Sequence, residues 1–270
     1  MSTAWNPKPV VRVHIRRRVS AAVLVLDDFT GRPITAADLE VRAAEILDRP
    51  VRKGDGYFLF LDSPTPTLTV TARAWAYHTA TVQVDLSALP ALRPVVRLRL
   101  TPNRNYSIPL HTTCLEGAAP PDTQVRAFCL NDPKPLRLLY NYAAGGPEGG
   151  RQIQIYAPDG SDLAGRRFAL LRKGEEQAEC FTVLDRLEEV EGGCLLAAPL
   201  ARDCKKAGAT LLPVLSASAD EQGRYFLPMR SLAVKRCLCR VLWAPPGGSW
   251  REQTLELEPG RVTRLDLAGE

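Results

Sequence analysis

The chain carries few side chains spaced for chemistry. Its three histidines, His14, His78 and His111, lie far apart in sequence. A zinc site would need cysteines to join them, and the only close pair is Cys237-Leu238-Cys239. On a strand those two thiols point to one face, about 7 Å apart by strand rise. That spacing suits two metal ligands, but buried cysteines acting as small apolar side chains are far commoner. Asp27-Asp28 and Asp55 could offer carboxylates to Ca2+, yet turns select Asp for its own hydrogen bonds, and no EF-hand spacing is present.

Nucleophilic chemistry finds no better footing. There is no Gly-x-Ser-x-Gly, and Cys180 and Cys194 have no His within sixty residues to serve as base. Glu175-Glu176, Glu179 and Glu188-Glu189 form an acidic run of the kind that usually marks a solvated face. The loop AAGGPEGG, from Ala143 to Gly150, lacks the Lys-Ser/Thr of a phosphate loop. We therefore expect no catalytic set, no metal site and no cofactor, and a protein that is not an enzyme.

What remains is surface. Trp75-Ala76-Tyr77-His78, Tyr140-Asn141-Tyr142 and Trp243 to Trp250 fall near strand ends or loops, where contact residues gather. Tyr77 and Trp243 read as core, because aromatics are mostly buried. Tyr142 and Trp250, beside Gly-rich loops, are the better contact candidates, together with Arg16, Arg17 and Arg18.

The elements that must carry these residues alternate with the period of two expected of half-buried antiparallel strands. Val11 to Ile15, Val23 to Leu26, Leu39 to Ile46, Tyr57 to Leu61, Thr67 to Ala72, Thr81 to Leu86 and Val95 to Leu100 fill the first hundred residues. Short strands divided by turns, without a long period-3.6 segment, predict a β-sandwich. Thr101-Pro102-Asn103-Arg104-Asn105-Tyr106 closes that block, so the expected domains are residues 1–102 and 103–270. In the second part, Thr123 to Leu130, Leu136 to Tyr140 and Arg151 to Tyr156 read as strands. Thr182 to Val190 and Leu195 to Lys206 read as short helices, the latter interrupted by Pro199.

The last fifty residues repeat the first block. Asp220-Glu221-Gln222-Gly223 leads into Tyr225-Phe226-Leu227 as Gly54-Asp55-Gly56 leads into Tyr57-Phe58-Leu59. Cys237 to Trp243, Thr254 to Leu257 and Val262 to Leu267 then follow in the order of Thr67 to Ala72, Thr81 to Val84 and Val96 to Leu100. The expected fold is all-β: two tandem antiparallel sandwiches, the second elaborated by insertions between 140 and 215.

Three pieces carry a family resemblance: Asp28-Phe29-Thr30-Gly31-Arg32-Pro33-Ile34, Asp55-Gly56-Tyr57-Phe58-Leu59-Phe60 and Thr67 to Tyr77. They resemble the carboxypeptidase regulatory-like domain, a seven-stranded sandwich of transthyretin-like type, over about residues 10 to 100 and more faintly over the last third. Ala76-Tyr77 stands where that family has Gly-Tyr, and Ser63-Pro64-Thr65-Pro66 where it has Pro-Pro-Gly. The resemblance implies a scaffold or contact surface, and fold alone names no function. Pro50 to Asp62 and Arg97 to Pro109 are similar to stretches of accessory proteins of phage-tail-like contractile injection systems. That implies protein subunits of a large assembly as partners, in a baseplate- or fibre-associated position.

The totals agree with such a role. Of 270 residues, 35 are basic and 30 acidic, spread too evenly for a nucleic-acid footprint. The chain has no signal-peptide pattern at its start and no apolar run long enough to span a membrane. Seven cysteines, an odd number, point to free thiols and synthesis in the cytoplasm, with release as part of a particle. The alternatives are a module that binds a glycan or a protein through its Trp and Tyr loops, and an enzyme whose site carries no motif.

Overall fold

The computed structural model describes residues 17–158, 163–229 and 234–267. The expected strand at Val11 to Ile15 and the candidate Arg16 lie outside them. The described chain is all-β, and its first seven strands form one sandwich. They are β1 (Val19–Asp27), β2 (Glu40–Ala43), β3 (Val51–Arg52), β4 (Tyr57–Leu61), β5 (Thr67–Arg73), β6 (Ala80–Asp85) and β7 (Val95–Leu100). One sheet runs β3-β4-β1-β7, with β1 antiparallel to β4 and parallel to β7; the other runs β2-β5-β6. Between them lie Val23, Val25, Val41, Phe58, Phe60, Leu68, Val70 and Leu100, all buried. Alternation is cleanest in β5, where Leu68, Val70 and Ala72 are buried and Thr67, Thr69, Thr71 and Arg73 are not.

The chain then lays down β8 (Thr113–Ala118) and β9 (Gln124–Cys129). A long excursion follows: β10 (Arg137–Leu138), β11 (Gln152–Tyr156), β12 (Arg167–Arg172), β13 (Glu179–Arg186), β14 (Gly193–Leu196) and β15 (Ala209–Ser218). The chain ends with β16 (Arg224–Met229), β17 (Cys237–Ala244), β18 (Arg251–Leu257) and β19 (Val262–Arg264). Strand β8 is antiparallel to β16 and parallel to β19, as β1 is to β4 and β7. Strands β9, β17 and β18 pair in the order of β2, β5 and β6. The two sandwiches thus share one topology, and the insertion occupies the place of β3.

The repeat is offset by one residue from its literal spelling. Lys53 and Asp220 open equivalent turns: Gly56 N donates to Lys53 O (3.3 Å) and Gly223 N to Asp220 O (2.9 Å). Both glycines sit at positive φ, where a side chain is strained. Two residues on, Phe58 faces the first core and Tyr225 the second. The equivalent residues are therefore Phe58 and Tyr225, not Tyr57 and Tyr225, since a one-residue shift turns a side chain to the opposite face.

The two expected helices are absent. Thr182 to Arg186 belongs to β13, and the stretch after β14 is irregular until Cys204, whose backbone exchanges hydrogen bonds with Tyr142 (2.8 and 2.9 Å). Among the described residues, helix is confined to the single turn Pro147–Gly150 and two 3-10 turns. The physical reason is cross-strand burial. Phe181 and Val183 meet Phe168 and Leu196 in one core, alternating along a strand rather than lining a helical stripe.

The excursion closes on itself. Its strands pair in the order β10-β11-β14-β13-β12-β15, and Leu136, leading into β10, exchanges both backbone hydrogen bonds with Leu211 of β15 (2.9 and 3.0 Å). The result is a small six-stranded barrel filled by Leu138, Ile153, Ile155, Phe168, Leu170, Val183, Leu196 and Leu211. Strand β15 also pairs with β9, so barrel and second sandwich share one continuous sheet.

Candidate functional site

The predicted contact residues do not converge. Arg17 and Arg18 are exposed at the start of β1, where Arg18 N donates to the Asp62 carboxylate (2.8 Å). Tyr142 is buried, which corrects its expected role as a contact residue. Its hydroxyl donates to Gly150 O (2.6 Å) and accepts from Leu200 N (2.8 Å), tying the AAGGPEGG loop to the barrel. A Gly-rich neighbourhood signalled exposure; the glycine serves instead to let Gly150 lie against Ala144 O, where a Cβ would come within 2.0 Å. Trp250 is 43% exposed, with the Arg126 guanidinium stacked 3.9 Å from its ring centroid. Tyr77 and Trp243, read as core, are partly buried.

The Arg-rich strand β7 is turned inward on the chain itself. Arg97 pairs with Asp185 of β13 (2.6 Å), Arg93 with Glu188 (2.9 Å), and Arg99 Nε donates to Ala164 O (2.9 Å). Gly165 lies so close that a Cβ would sit 3.3 Å from Arg99 Nε. The barrel is thereby docked on the first sandwich. Sequence reasoning missed this, because the partners lie 65 to 95 residues away, and Asp185 and Glu188 fall in a stretch that was expected to be helix.

The exit from β7 is clamped as well. Asn103 Nδ2 donates to the carbonyls of Trp75 (2.9 Å) and Tyr77 (3.1 Å), and Tyr106 OH donates to buried Asp27 (2.6 Å). Asp27 also accepts from Phe29 N, Thr30 N and Thr30 Oγ1. Burial, and then the hydrogen bond to Asp27, push the Tyr106 phenol above its ordinary value; Tyr77, packed edge-on against it at 5.4 Å, is raised mainly by burial. These residues form a polar knot, not an acid–base pair.

The cysteines behave as core. Cys237 and Cys239 do share a face, and they point with Cys129 into the second sandwich. Cys129 stands opposite Cys239 across β9 and β17. Its thiol is raised by its hydrogen bond with Cys237 and by burial, while burial pushes Cys114 up to about 12 and Cys194 to about 11. Thiols held protonated are poor nucleophiles and poor metal ligands. Among the described residues, no three His, Cys, Asp or Glu side chains gather as ion ligands. His78 is partly buried and its imidazole is lowered by that burial.

The surface that stays open is strand edge. Among the described residues, strands β6 and β18, equivalent in the two sandwiches, end their sheets and pair on one side only. They expose Thr81, Gln83 and Asp85 in one case and Glu252, Gln253, Thr254 and Glu256 in the other. Leu47, Trp75, Leu92, Leu110 and Leu238 are large apolar side chains left in solvent. No described helix is long and apolar enough to cross a membrane.

No known protein family matches the sequence, and no curated protein does. Among solved structures, the chain is similar to the major pilin subunit BcpA of Bacillus cereus at 6% identity, with a TM-score of 0.25, covering 92% of this chain and 69% of that one. A variant of the same subunit matches at 6% identity and a TM-score of 0.24, covering 94% and 70%. Superpositions that loose carry no argument about this chain.

Proposed function

We propose that this protein is a non-enzymatic docking subunit whose two sandwiches, residues 1–102 and 103–270, present strand edges to neighbouring proteins. The observation that carries the reading is the pair of open, topologically equivalent edges, β6 and β18. An unpaired edge is a template for a strand from another chain, and strand addition supplies affinity from the backbone and specificity from alternate side chains. The barrel and the Asp27 knot hold the two edges on one body, which gives any partner a preset geometry.

The resemblance of Pro50 to Asp62 and Arg97 to Pro109 supports partners in a phage-tail-like contractile particle, assembled in the cytoplasm and released with it, as the proposed assembly. Co-sedimentation with sheath and tube proteins from cell extracts is the expected result. A chain that stays a monodisperse monomer and never sediments with such particles refutes the assignment. Glycan stacking on Trp250 is the less favoured reading, because Arg126 already covers one face of the ring.

A further inference from the structure

The face of the shared sheet opposite the second sandwich core carries an arrangement that the fold leaves unexplained. Arg126 of β9 and Ser216 of β15 stand directly opposite one another. The Ser216 hydroxyl is 3.4 Å from Arg167 Nη1 of β12, so this one serine neighbours both arginines. Both arginines are partly buried, and neither forms an ion pair with a described residue. The acidic residues on adjoining strands are engaged elsewhere: Glu179 with Arg172 (2.5 Å), Asp185 with Arg97 (2.6 Å), and Glu252 facing Arg240 (4.0 Å).

Two cations brought together away from water repel and lose hydration, so they need an anion between them or a reason to do without one. The Trp250 stack accounts for Arg126 alone. It does nothing for Arg167, whose bonds to Ser216 and Thr182 are both long, at 3.4 Å. Arg126 Nε is buried and has no partner. Burial, and then the charge of Arg167, lower the Arg126 guanidinium from its ordinary value, the direction expected of a cation without its counter-ion. The side chain that meets Arg126 by hydrogen bond is the Cys180 thiol, raised by burial and so neutral, which leaves the pair of guanidinium groups without a carboxylate among the described residues.

We propose that Arg126 and Arg167 form a receptor for one carboxylate group, that of an acidic side chain on a partner polypeptide, with Trp250 and Leu242 as its apolar walls. Guanidinium forks match a planar carboxylate bidentately. A single negative charge is also easier to dehydrate against Trp250 and the adjoining buried Val214 and Phe128 than the double charge of phosphate. The polypeptide source rests on the docking reading above; the anion site does not.

The test uses the full chain and acetate as the probe. Thermal unfolding of the wild type is compared in acetate, chloride and phosphate at matched ionic strength. Acetate is expected to raise the midpoint above that in chloride and phosphate. In Arg167→Gln the acetate increment should vanish, with the acetate dissociation constant weakened at least tenfold, about 1.4 kcal/mol. In chloride this variant should be at least as stable as the wild type, because a repulsion has been removed. A structural Arg167 would instead lose stability in every salt. Should Arg167→Gln not fold, Arg167→Lys keeps the charge but loses the fork, and is expected to retain less than half of the increment.

Equal midpoints in acetate and chloride, or an increment that survives Arg167→Gln, overturn the site. A larger gain in phosphate overturns the carboxylate assignment. Co-sedimentation of the wild type and Arg167→Gln with particles is the separate arm. Acetate binding without any co-sedimentation leaves the site standing and refutes the docking reading, whereas co-sedimentation without acetate binding does the reverse.

Discussion

Replacing Tyr106 by Phe removes one oxygen and leaves the ring packed edge-on against Phe29 (5.9 Å) and Tyr77 (5.4 Å). What is lost is the 2.6 Å hydrogen bond to the Asp27 carboxylate, which is 6% exposed. A hydrogen bond to a charged group contributes about 1.5–3 kcal/mol. Three donors to Asp27 remain, at 2.8, 2.9 and 3.2 Å, so the carboxylate is not stranded. The lower part of the range, about 1.5–2 kcal/mol, is therefore expected. For a domain of roughly 60–100 residues each kcal/mol moves the midpoint by about 4–8 °C, so the first sandwich should melt about 6–16 °C lower. Calorimetry of the full chain reads this directly, with exposed Tyr156→Phe as a control expected to stay within about 0.5 kcal/mol of wild type.

The same variant has a pH signature. A phenol raised in the folded state favours the neutral form there, so its contribution is complete below the unfolded value of about 10 and is lost as pH rises beyond it. Wild-type stability should decline above about pH 10, and the decline should be shallower in Tyr106→Phe. A midpoint change no larger than that of Tyr156→Phe, or an unaltered alkaline slope, would refute the view that Asp27 and Tyr106 hold the exit of the first sandwich.

Other outcomes test other parts of the structure. A Cβ at Gly117 would come within 1.9 Å of Leu265 O, so Gly117→Ala must part β8 from the chain after β19; a loss of 3 kcal/mol or more is expected. Gly145→Ala, with open space around it, should be neutral or gain about 0.4–1 kcal/mol, both being read by urea unfolding. Of the seven thiols only Cys180 is not fully buried, so a thiol reagent should titrate at most one in the native protein and all seven after unfolding. Arg97→Asp should loosen the barrel from the first sandwich by about 1 kcal/mol, and Asp185→Arg on the same chain should restore it, measured by proteolysis around residues 103–112.

How far these features could be read from the chain depends on how local their causes are. Alternation within β5 and β17 is a property of seven or eight consecutive residues, and the glycine turns at Gly56 and Gly223 are just as local. The all-β class and the repeated order of strands needed nothing more. The phase of the repeat did need more: Tyr-Phe-Leu recurs as letters, but only pairing with β1 and β8 decides which of those residues enters each core. The helices expected at 182–190 and 195–206 failed for a related reason. Short apolar runs carry no period that separates strand from helix, and here the deciding contacts come from β12 and β14 for the first stretch and from β11, β13 and Tyr142 for the second.

Local patterning therefore determined that this chain makes sandwiches, and twice. Tertiary structure alone decided that the excursion closes into a barrel, that the arginines of β7 face Asp185 and Ala164 rather than a partner, and that Tyr142 is interior. It also decided that Arg126 and Arg167 both neighbour Ser216. Each of these is a pairing between residues tens of positions apart, set by sheet register and by burial, and no window of neighbouring residues contains that information.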